Sequence, residues 1–523
     1  MANLWIKKPL ALLLKEASGE EKGLKRTLGA PSLVALGIGA IIGAGLFSIT
    51  GGAAANNAGP AVTISFIIAA IGCAFAGLCY AEFASMIPVA GSAYTYSYAT
   101  MGQFIAWIIG WDLVLEYAVG AATVAISWSR YLVKFCHNVG FNLPIEWCLS
   151  PWFTSKLKYD TMVDGVLVKA GQEISGVIEG GSMVEGVLQG GTHILGLINL
   201  PAILIVILMS LLLVKGTRES AFINGIIVAL KVTVVLIFII LGWGFIRSEN
   251  YTPYIPTNTG EFGSFGMSGV VRAAGIIFFA YIGFDAVSTA AQEAKNPKKD
   301  MPIGILVSLA ICTVLYILFA HVMTGVANYT DFQGQDGIAP VAVAIEHMGT
   351  MGADGKIIPA YPWLNNAIIL AILAGYSSVI MVMLMGQSRV FFSMSQDGLV
   401  PKMFSDVHPT FSTPAKSNLL FMVFVSLFAA FVPANVVGEM TSIGTLFAFI
   451  LVCAGVLVMR KTMPDAPRSF KTPLVPLVPI LGILSCLVMM LALDGWTWLR
   501  LIVWMAIGMC IYFAYGAKNA KLQ

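Results

Sequence analysis

Charge is scarce in this chain of 523 residues. Only 11% are Asp, Glu, Lys or Arg, against about a quarter in an ordinary soluble domain. A soluble globular fold is therefore not expected. The basic residues form no basic domain, so no nucleic-acid partner is expected. No His, Cys, Asp and Glu have metal-ligand spacing, and no hydrolase nucleophile or phosphate-binding glycine loop occurs. Neither an enzyme nor a bound cofactor is expected. The apolar run near the start, "PLALLL", is too short for a signal-peptide core. Both tails are short, which argues against a sensor with its own signalling domain.

Apolar sequence is what the chain has. Hydrophobic residues make up 58%, and mean hydropathy is +0.84. A membrane-crossing helix needs ~20 apolar residues. Twelve stretches meet that length approximately: 31–58, 60–87, 103–135, 198–215, 221–246, 267–291, 302–327, 362–388, 417–433, 441–459, 476–493 and 496–516. An all-α membrane protein of twelve transmembrane helices is predicted. An even count puts both termini on one side. With that side cytoplasmic, the inner segments collect Lys7, Lys8, Lys15, Lys22, Lys25, Arg26, Lys215, Arg218, Lys295, Lys298, Lys299, Arg389, Lys402 and Lys416. Arg460, Lys461, Arg468, Lys471, Lys518 and Lys521 fall there too. The positive-inside rule then holds, in the cell membrane. The first residues, "LWIKKPLALLLKEA", read either as an amphipathic segment on the inner membrane surface or as a disordered basic tail.

The longest outer loop, 136–197, contains "SGVIEGGS" and "EGVLQGGT" in a ten-residue repeat, and an Asp-Gly hairpin signal in "MVDGVLV". Small β-hairpins capping the outer face, or a flexible glycine-rich insertion, fit this composition. Cys136 and Cys148 flank the start of the loop, where a disulfide is possible. The other six cysteines lie within spans.

Two spans carry glycine where a helix can least tolerate it. The first reads "GIGAIIGAGLF", with Gly43 and Gly45 about 18 Å into the span at 1.5 Å per residue. The sixth reads "GIIFFAYIGFDAVSTA", with Gly283 in its middle and Asp285 just beyond. Paired interruptions five spans apart are the mark of inverted repeats, here spans 1–5 (31–246) and 6–10 (267–459), with 476–516 appended and 1–30 as a cytoplasmic segment. A helix broken at mid-membrane frees backbone N–H and C=O groups, tolerable only where they line a polar cavity. N–H groups at a half-helix start suit a carboxylate, and carbonyls at a half-helix end suit an ammonium. An α-amino acid carries both.

Ionisable groups at membrane depth cost at least ~2.5–3.5 kcal/mol and so invite functional readings. Lys231, in "NGIIVALKVTVVLIFII", is far from either surface. It could exchange a proton during transport, stand as a fixed cation, or tie down freed carbonyls. Asp112 and Glu116 share a helix face. Glu116 either tunes specificity towards cationic substrates or pairs with another buried group. Asp285 either meets a cation or caps the second half of span six. Glu82 is placed at an inner gate, Arg272 near the outer surface, and His321 in the core.

These residues resemble a known family. "LGIGAIIGAGLF", "PVAGSAYTYSYATMG", "FFAYIGFDAVSTAAQEAKNPKKDMPIGI", "SRVFFSMSQDGLVPKMF" and "RSFKTPLVPLVPI" are similar to the amino acid–polyamine–organocation superfamily, in its bacterial branch related to the cationic amino acid transporters. The likeness covers all but 136–197. It implies five-plus-five inverted repeats with discontinuous helices 1 and 6. It implies substrate held at its carboxylate end by Ile41, Ala44 and Gly45, with Gly43 in the same binding set, and at its amine end by Phe279, Ala280 and Ile282. Lys231 falls where proton-coupled members have a lysine, implying proton-coupled amino acid uptake. Many relatives have Ser or Thr where this chain has Ala44, and Arg where it has Gln396. An exchanger, or a transporter-like amino acid sensor, are the alternatives. A channel is disfavoured by the lack of a pore-forming loop. Amino acid, protons and membrane lipid are the partners expected.

Overall fold

The computed structural model describes residues 4–10, 12–13, 28–87, 92–184, 186–216, 221–291, 294–333, 339–351 and 357–522. Lys15, Lys22, Lys25, Arg26 and Arg218 lie outside this set. Within it, eight helical runs are long and apolar enough to cross a membrane, and three shorter apolar helices accompany them. The first run, Ala30–Met86, spans 57 residues and holds two of the stretches expected from sequence. The three shorter helices are Leu200–Lys215, Ala415–Phe431 and Leu477–Ala492. Proline opens many helices: Pro31, Pro201, Pro297, Pro340 and Pro362 sit in first turns, where no N–H is needed.

The bundle is organised around broken helices wrapped by whole ones. Pro297–Val326 packs along both Ala30–Ile41 and Val62–Met86. Small residues make this close: a Cβ on Gly37 would collide with Ser308. Gly495–Ile511 is peripheral, with Trp496 and Ile502 exposed on its outer side.

One end of the bundle carries a β cap. Asp160–Val163 and Val166–Val168 form the Asp-Gly hairpin, with Asp164 and Gly165 at φ 48° and 82°. Both positive angles suit the turn that matches strand twist. The ten-residue repeat folds as repeated strands, Val177–Glu179 and Val187–Gln189. The order Val166–Val168, Asp160–Val163, Val187–Gln189, Ser182–Val184 makes a four-stranded sheet with one parallel pairing. Two further pairs, Thr154–Lys156 with Glu173–Ser175 and Val177–Glu179 with Thr192–Ile194, complete the cap. Lys158 anchors it to the bundle through Asp331, at 2.8 Å. Cys136 and Cys148 are free thiols.

The opposite end holds both termini and is closed by ion pairs. Glu82 is buried and meets Arg460 at 2.9 Å and Arg468 at 3.1 Å, and accepts from the Thr472 N–H. Residues 4–8 do not lie loose at a membrane surface. They dock on the protein, where Phe104 N donates to Leu4 O, Gln103 N to Ile6 O and Lys8 N to Tyr98 O. Lys8 reaches Asp397 at 2.8 Å, and Tyr94 donates to the same carboxylate at 2.7 Å. Asp397, next to Gln396, thus takes its cation from the start of the chain. Residues 14–17 of the expected amphipathic segment lie outside the described residues.

Candidate functional site

Helix Ala30–Ile41 stops because Ile42 turns extended, at ψ 101°. Helical structure resumes at Ala44 and passes through a π turn, Gly45–Ile49. The second interruption follows Gly266–Ile277. A 3₁₀ turn, Phe278–Tyr281, gives way to Ile282 at ψ 136° and Gly283 at φ 115° before Ala286–Thr289. The two breaks lie against each other. A Cβ on Gly45 would collide with the Ala280 backbone, and one on Gly283 with the Ala40 backbone. Gly43 is less tightly enclosed, since a Cβ there would only touch Val379, at 3.4 Å. Ile41, Ala44, Phe279, Ala280 and Ile282 are all buried at this junction.

The freed carbonyls have named partners. Lys231 Nζ donates to Gly39 O at 2.7 Å. Its stem passes Gly375, where a Cβ would sit 3.0 Å from Cε. Tyr316 Oη lies 2.8 Å from Ile41 O and 3.0 Å from Ala280 O, so one hydroxyl proton is shared between the ends of both breaks. Tyr131 Oη donates to Phe47 O. Ser48 Oγ and Tyr376 Oη share a bond of 2.9 Å. Tyr316 and Tyr131 were not singled out by sequence reasoning. Hydroxyls at mid-span were the available signal, hidden among the many aromatics of the chain.

A separate acidic group lies alongside. Gln103–Val114 continues through a π turn, Leu115–Val119, into Gly120–Asn138. Glu116 faces Asp285 and Thr445. Tyr117 Oη donates to Asp285 Oδ2 at 2.6 Å. Asp285 gives no side-chain cap to Ala286–Thr289. Among the described residues no protein cation pairs with it: its neighbours are a tyrosine and a second carboxyl group. Both carboxyl oxygens of Asp112 and of Glu116 are buried without a hydrogen-bond partner among the described residues. His321 is half-buried and not in the core as expected, stacked on Tyr251 at 4.9 Å.

Between the breaks and the β cap lies a partly open cavity of about 490 Å³. Ser48 and Ile49, just past the first break, form part of its lining, with Arg130, Arg272, Phe153 and Glu439. Arg272 thus stands at the cap end, as its position near the span end implied. Residues 28–515 match the profile of the amino acid permease family. The chain belongs to that family. The permease is 42% identical to the branched-chain amino acid permease BcaP of Bacillus subtilis (strain 168), over 99% of this chain and 98% of that protein. It is 39% identical to the methylthioribose transporter of the same organism, over the full length of both. It is 33% identical to the vacuolar cationic amino acid transporter 4 of Arabidopsis thaliana, over 84% of this chain and 64% of that protein. It is a multi-pass membrane transporter for amino acids, not an enzyme.

Proposed function

We propose that this permease takes up branched-chain L-amino acids together with protons, by alternating access around the two helix breaks. The observation that carries this is the backbone-to-backbone meeting of Gly45 with Ala280 and Gly283 with Ala40, which leaves the ends of four half-helices at one place. The N–H groups that open the second half of the first broken helix hold the carboxylate, with Ile41, Ala44 and Gly45. Carbonyls around Phe279, Ala280 and Ile282 take the ammonium. Ala44 supplies no hydroxyl, so the backbone binds the carboxylate alone. Ile41, Phe279 and Ile282 favour an aliphatic side chain, in keeping with the name of the 42% identical relative.

Counting Ala30–Met86 as two crossings, with the three shorter helices, gives twelve spans and two five-span repeats. The positive-inside rule puts the ion-paired terminal end in the cytoplasm and the β cap outside. The cavity under the cap and the ion pairs at the other end then describe an outward-facing state. Lys231 links coupling to the site, because its ammonium rests on Gly39 O, at the end of the first half-helix. Losing a proton would weaken that tie and let the half-helix move.

The test is uptake into proteoliposomes of labelled L-isoleucine and L-arginine, with and without an inward proton gradient. Gradient-driven accumulation of isoleucine is expected. Counterflow without accumulation would make the protein an exchanger, and preference for arginine would assign Glu116 and Asp285 to a cationic side chain.

A further inference from the structure

The cavity beneath the β cap has chemistry that the helix breaks do not use. Arg130, on Gly120–Asn138, projects into it. Nε and Nη1 of its guanidinium are buried without a hydrogen-bond partner among the described residues. The guanidinium carbon lies 4.5 Å from the centre of the Phe153 ring, which comes from the cap. Phe153 covers one face of the cation and neutralises none of its charge. Arg272 lines the same cavity, with Nε buried and, among the described residues, without a hydrogen-bond partner. Acidic residues also line the cavity, but among the described residues none is ion-paired with either arginine. Glu173 stands opposite Lys156 in the strand pairing. Glu439 accepts from Thr497 Oγ1 at 2.5 Å. Glu261 lies on the exposed rim. Guanidinium nitrogens buried without an anion are costly, and a planar carboxylate is their best-matched partner.

We infer that this cavity is a second binding site, in which Arg130 holds the carboxylate of an amino acid on its way in and the cap residue Phe153 covers it. Ser48 and Ile49 in the floor are within one turn of Gly45, so a molecule held here is delivered directly to the breaks. Glu439 on the opposite helix, Ala434–Thr462, supplies negative charge for the ammonium end. The inference rests on the helix breaks being the inner site, but its first test does not.

Isovalerate, a carboxylate with an aliphatic tail and no amine, is the probe. With the purified full-length protein, isovalerate should raise the thermal melting midpoint saturably. Arg130→Gln should weaken the half-saturating concentration by about tenfold or more, with Arg130→Lys in between. The ligand-induced shift is read within each variant, so a change in basal melting does not mimic it. No shift in the unaltered protein, or the same half-saturation in Arg130→Gln, would overturn the site. If Arg130→Gln does not give a monodisperse protein, Phe153→Ala decides: weakened response supports the site and unchanged response removes it. A second arm measures isoleucine uptake. Arg130→Gln should raise KM and leave the maximal rate nearly intact. Unchanged KM together with a lost isovalerate response would make this a site for free carboxylates and refute passage of substrate through it.

Discussion

Lys231 is buried, yet its ammonium has a clear partner in Gly39 O. That geometry answers one physical question, how a cation is tolerated at membrane depth, and leaves two uses for it. Lys231→Met separates them. It is expected to abolish the dependence of isoleucine uptake on the proton gradient while the protein still folds. A purely structural lysine would instead cost stability, by about 1–3 kcal/mol for a buried carbonyl left without its donor, with gradient dependence unchanged in what remains. Tyr316 makes a second prediction at this scale. Tyr316→Phe keeps the ring and removes the hydroxyl shared by Ile41 O and Ala280 O. The melting midpoint should fall by an amount equivalent to about 1–3 kcal/mol, and the KM for uptake should rise because the two breaks lose a common tie. Normal uptake and melting would show that water replaces the hydroxyl without loss.

At the scale of elements, the breaks depend on glycines that act differently. Gly283 has a left-handed backbone and no space for a Cβ beside Ala40. Gly283→Ala should therefore destabilise the protein by more than ~1 kcal/mol, read as a lower melting midpoint. Gly43→Ala should be milder, since its Cβ only touches Val379. Equal effects would mean that the second break is not held as described. The β cap supplies a pH effect. His193 donates to the Ser175 carbonyl at 2.6 Å and pairs with Asp164 at 2.8 Å. The carbonyl first, and then Asp164, raise its pKa above the usual 6.5. The stabilisation is full below the unfolded value and disappears as pH rises through the higher folded value. Hydrogen exchange of the strands Val177–Glu179 and Thr192–Ile194, corrected for intrinsic rates, should speed up as pH passes through that range. His193→Asn should flatten the difference. At Lys158, burial works against the ammonium, but the bond and charge of Asp331 prevail and raise its pKa. The cap anchor therefore stays charged throughout the range in which His193 titrates.

For the whole molecule, the ends differ in kind. The cap end has a cavity, and the terminal end is held by Glu82 with two arginines and by Lys8 with Asp397 and Tyr94. Lys8→Ala removes a partner from a nearly buried ion pair and should shift the population towards states open at the terminal end. Each 1.4 kcal/mol of that shift corresponds to a tenfold change in the equilibrium. A cysteine placed at Ser395, which bonds to Pro401 O and Ser405 near the same end, should react faster with a maleimide in the Lys8→Ala background. Equal rates would mean that the first residues decorate the terminal face without closing it.

The apolar runs and the glycines of "GIGAIIGAGLF" and "GIIFFAYIGFDAVSTA" pointed by themselves to a helical membrane protein broken within 31–58 and 267–291, while the transporter family came from the resemblance of whole motifs. Runs and glycines point that far because a span's length and hydropathy are imposed by the bilayer, and a mid-span glycine acts on its own backbone. The "MVDGVLV" hairpin was legible for the same reason: its turn is local. Sequence left open the partners that meet across hundreds of residues. Tyr316 bridging two breaks, Lys8 serving Asp397, Arg130 under Phe153, and Glu116 against Asp285 arise only when helices distant in the chain are packed together. Tertiary packing also decided that Gly45 is pressed against Ala280 and not facing an open gap. A helix's own pattern says which face is buried, and only its neighbours determine what that face meets.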